Sequence, residues 1–343
     1  MMLQSVYNIQ GSRLKAQGSR LRWLDSLRGL AIILVLIGHI HSFPFQKFIY
    51  GFHMPLFFVL SGYLFRNGRT FPELLHNIAR RYIFPYFVLC GINLLIETVI
   101  HWLKREYYDI PHFMLGILYS RGTVEYMPNC SPLWFLTALS SALVIYFWIT
   151  RIPSRILSLS AVISCSLISL ALDKYGCPKL FWNIDTALMG VLFLEVGRTI
   201  RESDLTGRFG RLNTTAKEWA ILITLFLGAS AIHLNYRDVS FDNNRYGSYI
   251  LMVIGAVSVC SALFCLAHET SSLSLGFLQY LGRHTLFIMS FDYFSNRAAN
   301  FFKPDLWIII LILKLAVILT GLSIWNFLIS RIHNERVRTL LEF

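Results

Sequence analysis

No glycine-rich phosphate loop, no serine nucleophile elbow and no metal-ligand spacing occurs in this sequence, so nothing local marks a nucleotide hydrolase, a serine hydrolase or a metalloenzyme. Charge is scarce as well. Only 15% of the 343 residues are Asp, Glu, Lys or Arg, 55% are hydrophobic, and the mean hydropathy is +0.54, a balance that a soluble domain of this size does not carry. Acids are scarcer than bases, 19 against 31, which leaves a net charge of +12. That excess is spread along the connecting segments and forms no arm or stripe, which argues against a nucleic-acid partner. Internal repeats, long linkers and a soluble domain are all absent. No small-residue cleavage site follows the first apolar run, so a single membrane-embedded domain over 1–343 is expected, with a polar segment 1–21 ahead of an uncleaved anchor.

What the sequence does have is apolar windows of bilayer-crossing length. Ten are centred near Leu36, Leu56, Leu94, Leu143, Ile163, Val191, Leu225, Ile254, Met289 and Leu319. They predict an all-α, polytopic transmembrane bundle of about ten helices. Sorting the Lys and Arg residues into the connecting segments places twenty on one side, among them Arg13, Lys15, Arg20, Arg22, Arg28, Arg66, Arg69, Arg80 and Arg81, against ten in the alternate loops. Positive charge stays on the cytoplasmic side, so both termini are expected there. The longest outer segment, 104–132, is long enough to fold over the outward mouth. Cys130 and Cys177 both fall in outward loops, where an oxidising space would allow a disulfide between them.

Ionisable groups inside hydrocarbon are costly and tend to have a function. Arg28 and His39 lie on one predicted helix, about 16 Å apart along its axis at roughly 1.5 Å per residue, and so at different membrane depths. His53 enters the next helix, which runs back and brings it level with His39. An imidazole can take a proton from a hydroxyl near neutral pH, or serve as a transient nucleophile. It can equally act as a hydrogen-bonded tie between helices. His41 reads as a boundary residue. His53 can orient His39, bind substrate or cap its helix. Ser61 and Gly62 offer a small surface for close helix contact. Arg28, Arg80 and Arg81 cluster at the cytoplasmic helix ends and suit phosphate oxygens, although the positive-inside rule predicts them without a ligand. Asp292 and Lys314 stand about equally far from their shared outer loop and are expected to form a buried structural pair.

Four segments together resemble acyltransferase family 3, the integral membrane O-acyltransferases of bacterial surface polysaccharides and related glycans. They are LDSLRGLAIILVLIGH, FHMPLFFVLSGYLF from Phe52, RRYIFPY from Arg80 and PLWFL from Pro132. With the hydropathy pattern, the resemblance covers nearly the whole chain. It implies ten helices around a path for cytoplasmic acyl-CoA, with catalytic roles for Arg28 and His39; beside that resemblance, the position of His53 makes it a further catalytic candidate, close enough to assist His39. Arg28, Arg80 and Arg81 are then the candidate CoA-binding residues, with no metal, and a bacterial inner-membrane location follows. The acceptor implied is a glycan or lipid-linked saccharide, and His39 would serve as general base or acyl carrier. Many relatives carry a histidine in the helix after a motif like LGRHTLF, whereas this chain has SFDYF with Asp292. A transporter or flippase of lipid-linked sugars is the rival reading, although its paired repeats and broken helices are not visible.

Overall fold

A computed structural model describes residues 22–122, 125–127, 129–273, 275–302 and 306–341. The polar segment 1–21, with Arg13, Lys15 and Arg20, lies outside the described residues. Those described form an all-helical bundle, and the only strand-like pairing among them is one isolated bridge between Ser240 and Arg245. Each of the ten apolar windows has its centre in a helix. Among the described residues six helices are long and apolar enough to cross a bilayer: Phe71–Lys104, Ser131–Ile149, Arg155–Lys174, Thr214–Leu234, Tyr249–Ser272 and Trp307–Ser330. Within hydrocarbon every backbone N–H and C=O must be satisfied internally, which favours such unbroken helices.

The other four windows fall in helices that are shorter or more polar: 22–38, His53–Leu64, Ile184–Glu202 and Thr285–Phe301. These sit inside the bundle. Ten of the twelve residues of His53–Leu64 are buried, on all sides of the helix. It packs closely along Ile184–Glu202 because glycines remove the side chains between the two backbones. A Cβ on Gly62 would collide with the Leu194 carbonyl oxygen, and one on Gly197 with that of Val59. Gly62 therefore plays the packing part expected of it. Ser61 does not, and borders a cavity instead.

Thr70 and Glu73 form a capping box at the start of Phe71–Lys104, where Pro72 occupies the first turn. The run Ala79–Ile83, which holds Arg80 and Arg81, takes a π-helical turn. Pro85 explains the position of this turn, because its ring has no N–H to offer the Arg81 carbonyl four residues back and clashes with it.

Segment 104–132 is more ordered than a plain loop, since it contains the helix Ile110–Tyr119, capped by the Asp109 side chain. The Tyr86 hydroxyl donates to the Ile117 carbonyl at 2.6 Å and seats that helix on the bundle. Cys130 is buried and Cys177 exposed, and both are free, so the disulfide considered from their loop positions is not formed.

The glycine contact gives a direct test. Gly197→Leu should cost upwards of about 3 kcal/mol through overpacking and lower the thermal midpoint of detergent-solubilised protein, whereas Gly91→Leu, where a Cβ meets nothing within 4 Å, should leave it unchanged. Equal midpoints for the two variants would contradict the close helix approach.

Candidate functional site

The helix 22–38 ends one residue before His39, and its last carbonyls need partners. Gln46 supplies them, with Nε2 donating to the carbonyls of Gly38 and Ile40 at 3.0 and 2.9 Å. The turn that carries His39 is thereby held on both sides. The His39 ring meets the Asp292 carboxylate, Nδ1 to Oδ2, at 2.5 Å. The other oxygen of Asp292 stands 2.9 Å from Lys314 Nζ, which also donates to the Leu36 carbonyl at 3.1 Å. Lys314 is fully buried and the Asp292 side chain is 4% exposed, while His39 keeps 27% of its side chain open.

The predicted Asp292–Lys314 pair is therefore present, and it has a third member that sequence reasoning missed. A carboxylate can only accept, so in the neutral imidazole Nδ1 carries the proton and Nε2 is left with its lone pair. The residues that hold this arrangement come from three helices, 22–38, Thr285–Phe301 and Trp307–Ser330.

His39 borders a cavity of about 70 Å³ shared with His53, Tyr50, Trp134, Asp242 and Met289. His53 opens its helix as expected, and its Nδ1 donates to the Ile49 carbonyl at 2.9 Å, so its Nε2 is also the acceptor nitrogen. Tyr50 lies between the two imidazoles, with ring centroids 6.3 Å from His39 and 5.0 Å from His53. His41 is exposed, as befits a boundary residue. Asp242 reaches this cavity from a distant loop whose neighbouring Phe241 and Tyr246 are buried, and no local signal in the sequence marks it.

Arg28, Arg80 and Arg81 also come together, in a different place. They line a cavity of about 540 Å³ with Arg283 and His76, and its deeper wall is apolar, formed by Phe57, Phe135, Leu139 and Met289. Arg28 is anchored by Asp25 at 3.2 Å, and Arg283 approaches the same carboxylate at 3.7 Å. Met289 belongs to the walls of both the basic cavity and the His39 cavity, so the two spaces share that side chain.

At the other end of the bundle Glu97, buried with its side chain 2% exposed, pairs with Arg297 at 3.0 Å and with His101 at 3.2 Å. These groups border a third cavity, of about 680 Å³, with Tyr107, Tyr108 and Tyr293. Burial, with Glu97 next, raises the Tyr108 phenol above its usual pKa and keeps it a hydrogen-bond donor. Two more buried acids are paired too: Asp185 with Lys179 at 3.4 Å, and Glu195 with Arg155 at 2.6 Å. Among the described residues no group of His, Cys, Asp or Glu is arranged to hold a metal ion.

A family model described as an acyltransferase domain matches residues 21–329. Among curated proteins the chain is similar to the nodulation protein NolL of Sinorhizobium fredii (strain NBRC 101917 / NGR234), at 26% identity over 259 residues, which is 69% of this chain and 66% of NolL. The match thus spans just under two thirds of that relative's length. No solved structure matches the chain.

Lys314→Met should leave Asp292 without its cation and destabilise the protein by about 3–5 kcal/mol. The double variant Lys314→Met, Asp292→Leu should regain much of that loss in a thermal melt of the solubilised protein. If single and double variants melt together, the pair does not hold the fold.

Proposed function

Because the chain belongs to acyltransferase family 3, we propose that it is a membrane O-acyltransferase that moves an acetyl group from cytoplasmic acetyl-CoA to a hydroxyl of a cell-surface glycan or lipid-linked sugar. The observation that carries this reading is the placement of His39. Its Nδ1 is held by Asp292, and its cavity adjoins, across Met289, the one lined by Arg28, Arg80 and Arg81.

In this reading ten helices span a bacterial inner membrane with both termini in the cytoplasm, which the distribution of Lys and Arg supports. The phosphates of CoA bind the guanidinium groups of Arg28, Arg80 and Arg81, where planar forks of N–H donors suit phosphate oxygens. The pantetheine arm follows the apolar wall past Phe57 and Phe135, and the thioester reaches His39 beside Met289.

The acceptor hydroxyl gives its proton to His39 Nε2 as its oxygen attacks the thioester carbonyl carbon. The carbon–sulfur bond then breaks, and the imidazolium returns the proton to the leaving thiolate. Ester and free CoA are the products. Asp292 keeps the ring in the tautomer this needs and stabilises the imidazolium, while Lys314 offsets the carboxylate's own charge. His53, with its acceptor nitrogen on the same small cavity, assists in placing the hydroxyl. A cavity of about 70 Å³ suits a two-carbon acyl group better than succinyl, with Met289 setting the limit.

CoA release from acetyl-CoA by the purified protein, with mass spectrometry of the glycan for an added acetyl, tests the reading. His39→Ala should insert normally and lower the rate by about 10²–10⁴-fold. Full activity in that variant would end the assignment, and a transporter would release no CoA at all. Met289→Ala should raise turnover of longer acyl-CoA relative to acetyl-CoA, and an unchanged preference would remove Met289 as the limit.

A further inference from the structure

One face of the helix Thr285–Phe301 passes from cavity to cavity. Leu286 and Met289 border the basic cavity, Met289 also borders the His39 cavity, and Tyr293 and Arg297 border the cavity that holds Glu97. Met289, Tyr293 and Arg297 are spaced at i, i+4 and i+8, which keeps them on one stripe. Asp292, the partner of His39, adjoins Tyr293 in the chain, and Arg297 stands only about 7 Å further along the axis at roughly 1.5 Å per residue. A second segment makes the same connection, with Asn129 in the wall of the Glu97 cavity and Ser131 and Pro132 in the wall of the His39 cavity. The two spaces are neighbours on two independent elements.

The chemistry of the Glu97 cavity differs from that of the basic one. Ring faces dominate: His101 stacks on Tyr108 at 4.5 Å, Tyr108 stacks on Phe113 at 4.6 Å, and Tyr107 stands 86% exposed. Fixed among these rings are the buried carboxylate of Glu97, the guanidinium of Arg297, and Asn129. Flat apolar faces beside convergent donors and acceptors fit a pyranose, whose C–H face packs on an aromatic ring while its hydroxyls bond to the polar groups. The charged side chains facing this space are two carboxylates, Glu97 and Asp109, against one guanidinium that Glu97 already engages. An anionic sugar would meet net repulsion.

Resting on the acyltransferase reading above, we propose that this cavity of about 680 Å³ is the acceptor site, that it binds an uncharged saccharide, and that Tyr293 and Tyr107 form its sugar-stacking surface. The site is entered from the end of the bundle opposite the arginine cluster, so donor and acceptor approach His39 from opposite sides.

The test uses membranes that contain the full-length protein, radiolabelled acetyl-CoA, and the surface glycan of the host cell separated by anion exchange into neutral and acidic fractions. Label should enter the neutral fraction. Tyr293→Ala and Tyr107→Ala should each raise the glycan concentration for half-maximal labelling by about tenfold, the loss expected for one good contact, while the half-saturating acetyl-CoA concentration stays at the wild-type value. Tyr107 is exposed enough that its removal leaves the fold intact, so it decides the matter if Tyr293→Ala fails to accumulate. Transfer by the wild type with no change in glycan half-saturation for Tyr107→Ala, or labelling of the acidic fraction instead, would overturn the site while leaving the acyltransferase reading in place. No transfer by the wild type to either fraction would reject that reading, and the site with it.

Discussion

Asp292 binds three helices together and fixes the orientation of the imidazole they enclose. A carboxylate at that depth is tolerable only if its charge is met, and Lys314, fully buried at 2.9 Å, meets it. Lys314 in turn satisfies part of its own hydrogen bonding at the Leu36 carbonyl, on the helix that leads to His39. The ammonium ties the helix to the carboxylate, and the carboxylate sets the ring. A shift in any of the three helices would move the His39 nitrogen from its cavity, which is why a buried ion pair and a candidate proton acceptor occur as one cluster.

Around that cluster the bundle sorts its helices by what they face. Long apolar helices such as Trp307–Ser330 carry the length and hydropathy needed to meet lipid, and only 22% of the most apolar part of that helix is buried within the protein. The shorter His53–Leu64 and the more polar Thr285–Phe301 are packed against those neighbours and carry the buried His53 and Asp292. Interior helices can be short and close-packed because glycine contacts, such as Gly62 at Leu194 and Gly197 at Val59, replace the lateral support of lipid. One stripe of Thr285–Phe301, with Met289, Tyr293 and Arg297, then borders three cavities.

Much of this was legible in the chain because it depends on local rules. Apolar windows marked ten helices, since burying a helical backbone in hydrocarbon requires such runs. The joint placement of Arg28, Arg80 and Arg81 was expected from positions at helix ends, and they do line one cavity, although Arg80 and Arg81 lie in a turn inside Phe71–Lys104. Pairing of Asp292 with Lys314 followed from equal distances to a shared loop. The helix Ile110–Tyr119 was less legible, because ten apolar-leaning residues in a connecting segment are too few to signal a span. Its stability comes from the Tyr86 contact and the Asp109 cap, not from its own periodicity. Ser61 misled for a related reason: a small residue beside a packing glycine can point to the neighbouring helix or to a cavity, and only the rotation of the helix decides which.

By itself the sequence determined that this is an all-helical membrane protein and that His39 and His53, which border one cavity, belong together, because hydropathy, charge placement and helical rise are properties of short stretches of chain. Only the tertiary structure decided that Asp292 touches His39, that Met289 borders both the arginine-lined space and the one at the imidazole, and that Tyr293 and Arg297 face a third space. His39 and Asp292 are 253 residues apart, and which faces of two such distant helices meet is set by the packing of the whole bundle.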